Sequence, residues 1–271
     1  MLRALRPLSE LKFDTIRFAM AMNWLCLDGG GKWRQQKYVA FCGYLDNVSN
    51  LERFSSEWKV LLDNSGLSAL HYSEAMAWQG DWRQLRQAWG EQECESKRAE
   101  LIGKFIDVIK AQPTMKPIGY CGDSRGLTAK SANSKRPDLM LFERAVTIAT
   151  SQLPPGRELA IICDWEDGFD ELCCRLLRSL RSERVAQAHQ VVLLSFGDDK
   201  AYPELQAADM FAYLICKELE RATERPDEPQ DSLFARLMNP VSPPVSRVPL
   251  AEMFDADTFR RMVESYRLDL S

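Results

Sequence analysis

Three aspartates stand where apolar segments end or are interrupted: Asp28 after WLCL, Asp164 after AIIC, and Asp209 inside LQAADMF. A charged carboxylate at the border of a core is costly unless something compensates it. For Asp209 the compensator can be a capping amide, an arginine or a metal ion. Three carboxylates brought together repel and raise each other's pKa, a penalty that a divalent cation removes. Oxygen donors without His or Cys partners point to Mg2+ or Mn2+. Two such ions roughly 3.5–4 Å apart can hold a phosphodiester, activate a water and stabilise the leaving oxygen. Acids at strand ends also cap helices and turns, so spacing alone leaves both readings open.

The elements that must position these acids follow from periodicity. Residues 18–28 read as a strand ending at an acid, GGGKWRQQ (29–36) as a glycine turn, and 37–45 as the second arm of a hairpin. Residues 51–66 form a helix with Phe54, Trp58 and Leu61/Leu62 as its apolar stripe and Gly66 as its stop. A short strand running into a helix or loop is expected over 69–76, a polar helix over 91–111 and a strand over 116–123. Further helices are predicted over 139–153 and 169–182, and strands over 158–166 and 190–196. The last helix, 204–220, carries Ala208, Phe211, Ala212, Ile215 and Leu219 at helical spacing, a stripe that must face a core. Gln206 and Asp209 are three apart and share an edge of that helix. Strands alternating with helices after a hairpin predict an α/β domain with a mixed sheet. In such sheets functional residues gather at strand ends. The domain is expected to span 1–230, followed by a Pro-rich linker and a terminal amphipathic helix in 231–271, packed on the domain or on a partner.

Composition narrows the class. The chain has 271 residues and a formal net charge of -4, which argues against a strongly electropositive body but leaves room for a local basic groove. No apolar run approaches the ~20 residues of a membrane span, and the N-terminus lacks a signal-peptide layout, so a cytoplasmic protein is expected. The eight Cys include no CxxC pair and read as buried thiols of a reducing compartment. With only two His, His71 and His189, a zinc site is poorly supported.

Several motifs together resemble the domain of unknown function 3800 family of bacteria and phage, whose members look like ribonuclease H-like domains. LCLDGGG (25–31) and YVAFCGYL (38–45) take the places of the family's opening strands. FSSEWKVLL (54–62), LHYSEA (70–75), IICDWE (161–166) and PELQAADMFAY (203–213) follow in order, over roughly 20–220. The resemblance implies a ribonuclease H-like mixed sheet flanked by helices, with Asp28, Asp164 and Asp209 as ligands of Mg2+ or Mn2+. It implies a fourth acid, for which Glu74 and Glu166 compete, and a His71 that orients a phosphate or water. The implied activity is a nuclease, and the family is associated with mobile elements and phage defence. Gly29 and Gly30 depart from the family's acidic residue and Ser after the first Asp. They can admit a phosphate close to the backbone, or leave a catalytically inactive subunit that binds a protein or nucleic-acid partner.

The remaining candidates concern the substrate. Lys200 stands near the start of the Asp209 helix, and Gln206 can position a carboxylate or water. The basic stretch 124–137, with Arg125, Lys130, Lys135 and Arg136, and the helix bearing Arg175, Arg178, Arg181 and Arg184 can wall a nucleic-acid channel. Trp24, Trp78, Trp82 and Trp89 are candidates for base stacking or core packing. A homo-oligomer or larger assembly suits the C-terminal amphipathic helix.

Overall fold

The computed structural model describes residues 22–31, 35–124, 136–154, 156–164, 168–183 and 185–238. Arg125, Lys130, Lys135, Glu166, Arg184, the Pro-rich linker and the terminal helix expected over 250–268 lie outside the described residues.

Five strands form one mixed sheet: β1 (Asn23–Gly30), β2 (Tyr38–Asn47), β3 (Lys116–Asp123), β4 (Leu159–Asp164) and β5 (Val191–Gly197). Their order is β3-β2-β1-β4-β5. β2 pairs antiparallel with both β1 and β3, and β4 runs parallel to β1 and to β5. The expected hairpin and mixed α/β sheet are therefore present. β1 does not stop at Asp28, because its ladder with β2 continues through Gly29, opposite Phe41, and Gly30, opposite Ala40.

The helices are α1 (Val48–Ser65), α2 (Tyr72–Ala77), α3 (Asp81–Trp89), α4 (Cys94–Lys110), α5 (Pro137–Ser151), α6 (Phe169–Ser182), α7 (Ala186–Gln190), α8 (Pro203–Glu224) and α9 (Ser232–Met238). α1 illustrates how local chemistry sets an element. Asn47 caps it by accepting the Asn50 N–H at 3.0 Å, and Gly66 ends it in the left-handed region at φ 70°. Between these stops Phe54, Trp58 and Leu62 are buried, each such side chain contributing about 1.5–3 kcal/mol. Residues 72–77 form the helix into which 69–76 was expected to run, residues 69–71 are not a strand, and α3, α7 and α9 are elements that periodicity did not single out. Phe234 of α9 is buried in the same core as α4, and Arg236 pairs with Asp107 there.

Alternation along the strands divides the core into two layers. Leu25, Leu27, Leu159, Ile161 and Cys163 point to one face and pack with α5 and α6. The other face carries Tyr38, Ala40, Cys42 and Tyr44 of β2 under α8, α1 and α4. Cys26 and Ile162 share that second face with Leu51 and Leu205. No helix among the described residues is long and apolar enough to cross a membrane. All eight cysteines are free thiols, six of them buried.

Candidate functional site

Register brings the first two acids together. Leu27 of β1 lies beside Cys163 of β4 in a parallel pair. Asp28 and Asp164 are the next residue on each strand, so they stand side by side at the C-terminal ends of neighbouring strands. Leu27 and Cys163 face α5 and α6, so period-two alternation sends both acids to the face covered by α8. Gly30 faces the same way. A Cβ on it would lie 2.8 Å from the backbone of Ala212, a contact that only glycine permits, so α8 lies directly against β1. Gly30 thus serves helix packing, and Gly29 and Gly30 also line the cleft that the three acids share. A Cβ on Gly29 would meet only the Phe41 ring, at an ordinary 3.6 Å.

The apolar stripe of α8 is buried as its spacing requires: Ala208, Phe211, Ala212, Ile215 and Leu219 all lie in the core. Asp209 borders that stripe. Its Oδ2 accepts the Tyr72 N–H at 2.8 Å, the first amide of α2. A capping amide is therefore one compensator of this acid. Three residues earlier, Gln206 is fully buried. Its Oε1 accepts Trp58 Nε1 and the Leu70 N–H, both at 2.9 Å, and its Nε2 donates to the Asp199 carbonyl at 2.9 Å. His71 Nδ1 lies 2.8 Å from Asp199 Oδ2.

Asp28, Asp164 and Asp209 line one open cleft of about 1050 Å³. Burial, then the like charges of Asp209 and Asp164, hold the Asp28 carboxyl far above the usual range. Burial likewise pushes Asp209 up to about 6, although the Tyr72 N–H and His71 pull the other way. Asp199 adds negative charge to both. Burial alone would raise Asp199 too, but the hydrogen bond and charge of His71 outweigh it and leave it below the ordinary value. The Asp199 hydrogen bond in turn raises His71.

The cleft wall continues along α8 at helical spacing, through Tyr213, Lys217, Glu220 and Glu224. Three cations stand in the lining, each against a ring and an acid. Lys37 lies over Tyr38 at 5.1 Å and pairs with Glu224 at 2.6 Å. Arg136 lies over Phe169 at 5.7 Å, its Nε 3.1 Å from both Asp138 oxygens. Lys217 lies over Tyr213 at 5.9 Å and pairs with Glu220 at 3.3 Å. Among the described lining residues, Asp28, Asp138, Asp164, Asp209, Glu220 and Glu224 make six acids against these three bases.

Other sequence candidates fall elsewhere. Lys200 is exposed, is not part of the cleft lining, and acts by charge on Asp81. Gln206 is buried behind the cleft rather than in it. Glu74 sits against Gly80 and acts on Asp209 by charge, while its neighbour Ser73 lines the cleft. Arg175 pairs with Glu171, and Arg181 donates to the carbonyls of Ala188 and Val191, so these two serve α6 and its exit. Trp82 is core, and Trp78 packs edge-on to Trp89 with Arg98 4.6 Å from its ring. Asp199, Lys37 and Lys217 were missed. Lys37 and Lys217 give no local sequence signal, and Asp199 had only its place in the loop before α8.

Asp28, Asp164 and Asp209 offer the oxygen donors a hard divalent cation prefers, and the strongest charge effects on Asp28 come from other acids. No group of three or more His, Cys, Asp and Glu among the described residues is arranged to hold a metal ion as it stands. No family model, curated protein or solved structure matches the chain.

Proposed function

We propose that the chain is a metal-dependent phosphodiesterase acting on nucleic acid, built on a ribonuclease H-like domain. The observation that carries this is the parallel register of β1 and β4, which sets Asp28 beside Asp164 on the face where α8 presents Asp209. A mixed five-stranded sheet with helices on both faces is compatible with such a domain. Asp28, Asp164 and Asp209 would hold Mg2+ or Mn2+, with Glu74 or Glu166 as the fourth acid that the resemblance implies. The bound cation supplies charge neutralisation and activation of water at phosphorus.

The chain's own residues define the rest. Among the described lining residues six acids face three bases, a balance that repels a polyanion, so cation binding and substrate binding would be coupled. Lys37, Arg136 and Lys217 are placed to meet phosphate oxygens in exchange for Glu224, Asp138 and Glu220. A second reading is a catalytically inactive subunit that binds a protein or nucleic-acid partner. It is favoured by the Tyr72 amide, which already compensates Asp209.

Calorimetry with Mn2+ and Mg2+, and cleavage assays on single- and double-stranded DNA and RNA, separate the two readings. The nuclease reading expects metal binding and cleavage that both vanish in Asp209→Asn. Absence of metal binding to the wild type at millimolar concentration sinks it and leaves the binding subunit.

A further inference from the structure

Gln206 is a buried polar side chain that the proposed chemistry leaves unused. At 0% exposure an apolar residue would fill the position more simply. Its three bonds reach three separate segments: Trp58 of α1, Leu70 before α2, and Asp199 after β5. One helical turn on, Asp209 takes the Tyr72 N–H. Residue 71 therefore sits between two backbone amides gripped by the same helix. Its imidazole is gripped too, by Asp199. The bonds close a ring: Gln206 to Asp199, Asp199 to His71, and Leu70, joined to His71, back to Gln206. A network of this kind, fully buried at Gln206 and partly buried at His71 and Asp199, restricts the geometry of the groups it joins. The group at its exit is the Tyr72 amide, which selects Oδ2 of Asp209. Oδ1 takes no hydrogen bond among the described residues.

We infer that Gln206 is a positioning residue for Asp209: with His71 and Asp199 it fixes the Tyr72 amide, which holds one carboxylate oxygen and leaves the other for the cleft. The inference rests on the reading of Asp209 as a metal ligand. It gives Gln206, His71 and Asp199 a role one step behind the chemistry rather than contact with substrate.

The test uses full-length protein labelled with 15N-tyrosine. Its seven Tyr give few amide signals, and Tyr72→Phe assigns the one that matters. Gln206→Met removes all three bonds at nearly constant volume. The Tyr72 amide signal, Mn2+ affinity by calorimetry and the thermal melt are compared in wild type, Gln206→Met and Asp199→Ala. We expect a displaced Tyr72 amide and at least a tenfold loss of Mn2+ affinity in Gln206→Met with a cooperative melt retained. Asp199→Ala should give a smaller change of the same sign. An unmoved Tyr72 amide, or unchanged Mn2+ affinity in folded Gln206→Met, overturns the inference. If Gln206→Met does not fold, Gln206→Glu, which keeps the two accepted bonds and loses the donated one, is judged by the same criteria. A wild type that binds no Mn2+ overturns the metal reading and this inference together. Binding that is equal in wild type and variant overturns the inference alone.

Discussion

The two faces of β1 and β4 are built from alternate residues of the same two short segments, yet they end differently. Toward α5 and α6 the alternation runs Leu25, Leu27 and Leu159, Ile161, Cys163, apolar to the last turn of the strands. Toward α8 it runs Cys26 and Ile162 and then changes to Asp28 and Asp164. The first face closes a core. The second closes a core over half its length and opens a cleft over the rest. Side chains on the first face stabilise the fold, whereas burial makes ionisation unfavourable for Asp28 on the second and for Asp209 of α8 against it. That opposition of sign is the ground on which a site is proposed there, since groups with perturbed ionisation gather at functional sites.

The largest effect expected is on the apolar face. Phe142, fully buried and edge-on to Phe41, should destabilise the protein by about 3–5 kcal/mol when changed to Ala, read by urea unfolding. On the acid face the sign should reverse. Asp209 is raised from its ordinary 3.8 to about 6, which corresponds to about 3 kcal/mol of unfavourable ionisation. The folded state then binds more protons than the unfolded state between those values, so stability falls as pH rises from about 4 through about 6. Asp209→Asn still offers Tyr72 an acceptor oxygen. It should therefore stabilise the metal-free protein at pH 7.5 by up to about 3 kcal/mol, with the gain fading toward pH 4. A loss of stability in Asp209→Asn at pH 7.5 would break the comparison.

Divalent cations should sharpen it. Mn2+ at a hundred times its Kd should stabilise the wild type by about 2.7 kcal/mol, and should leave Asp28→Asn and Asp209→Asn unmoved in the same melts. Removal with a chelator should return the wild type to its original midpoint. The smallest contrast lies within one dipeptide. Gly30→Ser forces a Cβ to 2.8 Å from the Ala212 backbone and should cost about 1–3 kcal/mol. Gly29→Ser, with 3.6 Å to the Phe41 ring, should stay within about 0.5 kcal/mol. Equal effects at the two positions would remove the explanation of Gly30 as a helix-packing glycine.

Much of this is legible in the sequence. The apolar stripe of α8 was readable because burial repeats with the helical period. α1 was readable because its glycine stop lies beside the residues it serves. The 169–182 helix and the acids closing WLCLD and IICD were readable for the same reason: each signal is local. Gln206 was legible only as a residue that can position a carboxylate or water; its burial and its bonds were not, because its partners Trp58 and Leu70 lie 148 and 136 residues away. Asp199 sits in a polar loop like many others until His71 reaches it. Lys37 and Lys217 become cleft residues only through the path of α8 across the sheet.

The sequence by itself determined the five strands and the five longest helices of the described residues, and that three acids interrupt apolar runs, because local periodicity and capping act over a few residues. Only the tertiary structure decided that Asp28 and Asp164 stand side by side, that Asp209 is shared between a backbone amide and the cleft, and that a buried glutamine stands behind it. Strand register, helix crossing and long-range hydrogen bonds are set by packing of segments distant in the chain, and no local pattern encodes those.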